Sequence, residues 1–145
     1  MDDGEFWRAL RAGDVQTVET GLLAGRDVNQ SLTRNGRTAL HLVSLIGKTG
    51  VVELLIQHDA NLEARDKVGR TALHVASSNG QTGVVKLLIQ HRADVQASDE
   101  YGRTALHMAS SNGQTGVVEL LIQHDADLEA RDEVSTDMAI ISCKD

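Results

Sequence analysis

The chain has 145 residues and a formal net charge of −7, from 14 Lys and Arg against 21 Asp and Glu. That balance argues against sequence-independent nucleic-acid binding, which rests on basic surface, and no apolar stretch nears the roughly 18 residues of a membrane-spanning helix. Met1-Asp2-Asp3-Gly4 has no apolar run of the secretory kind, and a single cysteine, Cys143, excludes an internal disulfide, so a cytoplasmic or nuclear setting is expected.

Residues 4–31 read as a first helical unit. Phe6, Ala9 and Leu10 take the packing positions of one short helix, and Gly13 ends it. Val18, Leu22 and Leu23 are expected to pack a second helix, while Glu5, Arg8, Arg11 and Glu19 put charge on the outer face. Trp7 is expected to pack, and Asp27-Val28-Asn29 closes the unit.

From Gly36 the chain becomes periodic. The string Gly-Arg-Thr-Ala-Leu-His begins at Gly36, Gly69 and Gly102, 33 residues apart. Segments 36–68 and 102–134 match at 26 of 33 positions, and 69–101 matches 102–134 equally well. A fixed period of about 20–50 residues marks a stacked array, in which each unit buries its apolar face against its neighbours.

One unit can be read residue by residue. Thr71 is suited to N-cap a helix. Leu73, Val75 and Ala76 face the core of that helix, with Ser77, Ser78 and Asn79 near its end. Gly80 stops it, and Val84, Val85, Leu87, Leu88 and Ile89 form a second helix that is apolar on more than one side. From Asp94 to Arg103 no helical pattern remains. That stretch is expected to form a hairpin-like finger turning near Tyr101-Gly102, with Asp66, Asp99 and Asp132 bonding their own backbone at the turns.

The 33-residue period and the Thr-x-Leu-His cores at Thr38–His41, Thr71–His74 and Thr104–His107 resemble the ankyrin repeat. Gly47, Gly80 and Gly113 between helices, and the closing Ala60, Ala93 and Ala126, extend the resemblance over nearly the whole chain. It departs from the family pattern at Ala39, Ala72 and Ala105, where proline is usual. Alanine forms helix well, so the fold is unaffected. Residues 4–31 are similar to the first repeat of small ankyrin-only proteins. The resemblance implies an all-α solenoid of stacked helix-turn-helix units with β-hairpin-like fingers. The expected division is one domain, 1–145, with an N-terminal capping repeat (1–35), full repeats at 36–68, 69–101 and 102–134, and a partial cap at 135–145. Two readings of that short cap stand. Either the chain is a piece of a longer array, or the tail suffices as a cap, helped by weak self-association where Val117, Val118, Leu120 and Leu121 are incompletely covered. Repeats this alike also resemble consensus-engineered scaffolds, and recent duplication would look the same.

No catalytic, cofactor or metal site is expected. The histidines fall in two columns, His41, His74 and His107, then His58, His91 and His124. Members of a column lie a repeat apart, about 10 Å, too far to share an ion that needs ligands at about 2.0–2.1 Å. The first column matches the family's structural histidine. Serines and carboxylates recur on open surface without a base and orienting group converging on one nucleophile. Cys143 is expected to be an inert cap residue.

The resemblance implies a non-enzymatic protein–protein interaction module, an adaptor, scaffold or inhibitor, that binds a partner through its concave groove and finger tips; the alternative is a structural spacer or self-associating segment of a longer array. From the charge and the lack of a long apolar stretch, no direct contact with nucleic acid or membrane is expected. The candidate contact residues fall into three groups. Arg34, Arg37, Arg65, Lys67, Arg70 and Arg103 lie in or beside the fingers, as a solvated stripe or as a rim meeting carboxylates or phosphates. Ser78, Asn79, Ser111 and Asn112 lie at first-helix ends, where Leu45 and Ile46 replace Ser-Asn either as an exposed apolar anchor or as packing against Arg11 and Ala12. Tyr101 is the only tyrosine, at a finger tip.

Overall fold

The computed structural model describes residues 2–124. Eight helices follow in pairs: α1 Asp3–Ala12 and α2 Val15–Leu23, α3 Ala39–Ile46 and α4 Thr49–Gln57, α5 Ala72–Ser78 and α6 Thr82–Gln90, α7 Ala105–Ser111 and α8 Thr115–Gln123. The first helices pack in series, α1 on α3, α3 on α5 and α5 on α7, and the second helices do the same from α2 to α8. The result is the two-layered stack of helix pairs that the period demands.

Why each helix starts and stops where it does is local chemistry. Asp2 and Asp14 cap α1 and α2 through their carboxylates, with Oδ1 accepting from the amides of Glu5 (2.7 Å) and Thr17 (3.2 Å). In α3, α5 and α7 the cap is a threonine–histidine pair described below. Gly13 and Gly47 end α1 and α3 in the left-handed conformation (φ 74° and 79°). The positive φ favours glycine at Gly47, and the end of the Gln81 side chain of the next unit occupies the space where a β-carbon would project.

The core is a ladder of apolar side chains, aliphatic apart from Phe6, running from Phe6, Leu10 and Val18 through Leu40, Val52 and Leu55 to Leu73, Leu88, Leu106 and Leu121. Alanines at 39, 72, 76, 105 and 109 let neighbouring first helices approach closely. Two expectations need correction. Leu23 does not pack: it is 71% exposed, at a position where the next unit has Gln57 on its outer surface. The apolar flank of the last described pair is better covered than expected, with Val117, Val118 and Leu121 buried and only Leu120 partly so. The expected partial cap at 135–145, with Cys143, lies outside the described residues, as do Ala126 and Asp132.

The segments between pairs are hairpin-like in hydrogen bonding, without a strand among the described residues. Each turn closes with two backbone bonds, for example Asp66 N–H to Arg70 O (2.9 Å) and Gly69 N–H to Asp66 O (2.9 Å). Neighbouring fingers are joined edge to edge: Lys67 N–H donates to Asn35 O at 2.7 Å, and Glu100 N–H to Val68 O at 2.9 Å. Three finger tips therefore stand side by side along one edge of the stack.

Candidate interaction surface

Much of the polar chemistry that recurs in the sequence is consumed in building this frame. In α5 the Thr71 backbone N–H donates to Nδ1 of His74 (3.1 Å), and the Thr71 hydroxyl lies 3.0 Å from the same nitrogen while accepting from the His74 amide (3.4 Å). The other ring nitrogen, Nε2, reaches the Arg103 carbonyl of the next unit at 2.8 Å. Thr38, His41 and Arg70 repeat the arrangement one unit earlier. Because a backbone N–H must donate to Nδ1, the proton resides on Nε2 and the ring is neutral. Burial, the largest influence, pulls the pKa of His41 and His74 below the ordinary imidazole value, against the opposing pull of the acceptor carbonyl and of Asp66 or Asp99. The structural reading of this histidine column is what the geometry supports. His58 is half-exposed, and His91 and His124 are exposed.

The finger carboxylates are also structural. Asp66 Oδ1 accepts from the amides of Val68 and Arg70, both at 2.9 Å, and Asp99 does the same for Tyr101 and Arg103. Thr33 substitutes its hydroxyl in the first finger, accepting from Arg37 N–H at 3.1 Å. For Asp66, burial would raise the carboxyl pKa, but the two backbone bonds together with Arg70 and His41 outweigh it and the net shift is downward.

The arginine row is held unequally. Arg103 pairs with Asp99 at 2.9 Å and stacks over Tyr101 at 5.1 Å from the ring centre. Arg70 lies 3.2 Å from Asp66, while Arg37 reaches the same carboxylate only at 3.6 Å and its buried Nε makes no hydrogen bond. Arg65 is exposed, yet its Nη1 donates to the carbonyls of Gly69 (2.8 Å) and Ser98 (2.7 Å), pinning two fingers together. Arg34 and Lys67 are exposed at equivalent tip positions.

The first-helix ends divide in the same way. Asn112 Nδ2 donates to both the carbonyl (3.0 Å) and hydroxyl (2.6 Å) of Ser78, and Asn79 Nδ2 folds back to Val75 O at 2.9 Å. Ser111 is exposed. Leu45 is half-buried and its carbonyl accepts from Gln81 Nε2 at 2.9 Å. Ile46 is 39% exposed and Tyr101 42% exposed, which leaves both as large apolar side chains at the surface. Trp7 is half-buried and lines a hollow with Phe6, Gln30 and Leu32.

Four residues make bonds between units that the sequence pattern does not reveal. Gln81 and Gln114 each reach back to the previous unit's first-helix end, at Leu45 O and Ser78 O, and Asn29 and Glu63 accept amides of Asn61 and Asp94 one unit on. The glutamines were detectable in principle, since both follow the helix-ending glycine at a 33-residue spacing.

The comparisons with known proteins agree with this architecture. The family pattern described as Ankyrin repeats (3 copies) matches residues 6–99 and 61–132. The chain is 38% identical over 61 residues to myotrophin from Xenopus tropicalis, covering 42% of this chain and 51% of that protein. The chain thus spans about half the length of the curated relative it matches. With its 33-residue period, paired helices, threonine–histidine caps and linked fingers, the chain belongs to the ankyrin-repeat family.

Proposed function

We propose that this chain is a non-enzymatic protein-interaction module, binding a partner protein across its finger tips and first-helix ends. The observation that carries the reading is the division of labour on the surface. His41, His74, Gln81, Gln114 and Asn112 are committed to joining units and Asp66 and Asp99 to closing their own fingers, whereas Arg34, Lys67, Ile46 and Tyr101 are presented to solvent on the same edge and helix ends. A solenoid offers such positions as one extended surface, and aromatic residues beside an arginine are favoured interface anchors. The arrangement that imitates a nucleophile with its base, the pairs Thr38–His41, Thr71–His74 and Thr104–His107, is buried inside the stack in each copy, which speaks against a hydrolytic role. A cytoplasmic or nuclear setting accords with the reading, and among the described residues no helix is long and apolar enough to cross a membrane.

The test is affinity capture with the intact chain, followed by titration of the purified partner against Tyr101→Ala and Ile46→Ser. Weakened binding by variants that keep full helicity supports the reading. A partner whose affinity ignores both substitutions, or no partner at all, overturns it.

A further inference from the structure

The fingers are not electrostatically alike. Residues 30–41 and 64–74, which form the first two fingers and the helix starts that follow them, contain five cations, Arg34, Arg37, Arg65, Lys67 and Arg70, and one carboxylate, Asp66. That carboxylate is buried and is shared by Arg37 and Arg70 at 3.6 and 3.2 Å. The corresponding stretch of the third finger, 97–107, contains Asp99, Glu100 and Arg103, and its arginine is already held by Asp99 and Tyr101. A chain of net charge −7 thus concentrates a local positive field at one end of its finger row. The tips at that end are joined by the Lys67 N–H to Asn35 O bond, so Arg34 and Lys67 stand as neighbours, a repeat apart.

We infer that the first two fingers dock an extended acidic segment of a partner protein, with carboxylates about three residues apart meeting Arg34 and Lys67. The inference rests on the interaction-module reading above and names the class of partner. Spacing supports it: stacked helices repeat at about 8–10 Å, and an extended polyproline-II-like chain returns the same side every three residues, after about 9 Å. Charge supports it as well. Arg34 and Lys67 are exposed, and the partly exposed guanidiniums of Arg37 and Arg70 behind them share a single counter-charge. The third finger presents Glu100 at the equivalent tip and would repel such a segment, which fixes where it ends.

The probe is a fluorescently labelled peptide with glutamate at every third position and serine and proline between, titrated by anisotropy against the whole chain at low and physiological salt. Binding that weakens steeply with salt is expected, together with at least about a tenfold loss in the Arg34→Glu, Lys67→Glu double variant. Both positions are exposed, so helicity and thermal midpoint report that the variant is folded. Lys86→Glu, an exposed cation on α6, is the control and should change affinity far less. No binding at low salt, an equal loss in the control, or displacement by inorganic phosphate at concentrations similar to the peptide's own would overturn the inference. If the peptide fails while a captured partner still depends on Tyr101, the acidic-segment inference falls and the interaction-module reading stands. If both fail, both fall.

Discussion

Nε2 of His74 lies 2.8 Å from the backbone carbonyl of Arg103, the residue that precedes the N-cap of the next first helix. One imidazole therefore closes the cap of its own helix and fixes the start of its neighbour's. His74→Ala strands the Arg103 carbonyl and the Thr71 amide in the interior and opens a cavity. A loss of about 3 kcal/mol in chemical denaturation is expected. His58→Ala, on the half-exposed column, should change stability by no more than about 0.5 kcal/mol. Equal effects of the two would refute the coupling role.

The same geometry sets a pH dependence. Protonating Nδ1 of His41 or His74 would aim an N–H at the threonine amide, and burial holds both pKa values below the ordinary value near 6.5. In that window the unfolded chain binds more protons than the folded one. Stability is accordingly full above the unfolded imidazole value and declines as pH falls below it. Asp66, whose pKa is lowered, acts in a separate range: its contribution is present above the ordinary carboxylate value and lost at still lower pH. Urea midpoints measured from pH 8 to pH 5 should begin to drop near pH 6.5. A flat profile across that range would contradict the assignment of neutral, buried rings.

The repeat period, helix pairs, caps and finger turns were legible because each rests on a local pattern that recurs. Thr71, His74 and Asp99 use neighbours three or four residues away, or a backbone position fixed by the period. What the sequence left undetermined depends on comparing equivalent positions across space. Arg37, Arg70 and Arg103 are the same residue in the same place, yet their counter-charges differ because Thr33 stands where the later fingers have Asp66 and Asp99. Leu23 reads as a core residue by its hydrophobicity alone. The extra residue before Gly36 shifts the first unit's register, and aligning Leu23 with Gln57 would have placed it outside.

That register also exposes a backbone mismatch. Gly25 follows the C-cap of α2 with φ 102°, and the equivalent positions after α4 and α6 hold Asp59 (φ 65°) and Arg92 (φ 66°). A side chain in the left-handed region costs about 1–2 kcal/mol, less for Asp, which tolerates it. Glycine regains part of that after its own unfolded-state entropy is counted. Arg92→Gly should therefore stabilise the chain by about 0.5–1 kcal/mol, and Asp59→Gly by less. A lowered denaturation midpoint for Arg92→Gly would mean that its side chain makes a compensating contact.

A second site for improvement lies in the first helices. Ser44, Ser77 and Ser110 recur at one buried position, and none of their hydroxyls has a hydrogen-bond partner. Ser77 is 0% exposed on α5, beside the packed alanine at 76, so its oxygen is desolvated without return. Ser77→Ala removes the stranded group, keeps nearly the same volume and improves helix propensity. A gain of about 1 kcal/mol is expected from equilibrium unfolding. Ser111→Ala, one residue past the equivalent position and exposed, carries only the propensity gain and should not exceed about 0.5 kcal/mol. A destabilised Ser77→Ala would show that the hydroxyl bonds a carbonyl of its own helix in solution, and the order of the two variants would then reverse.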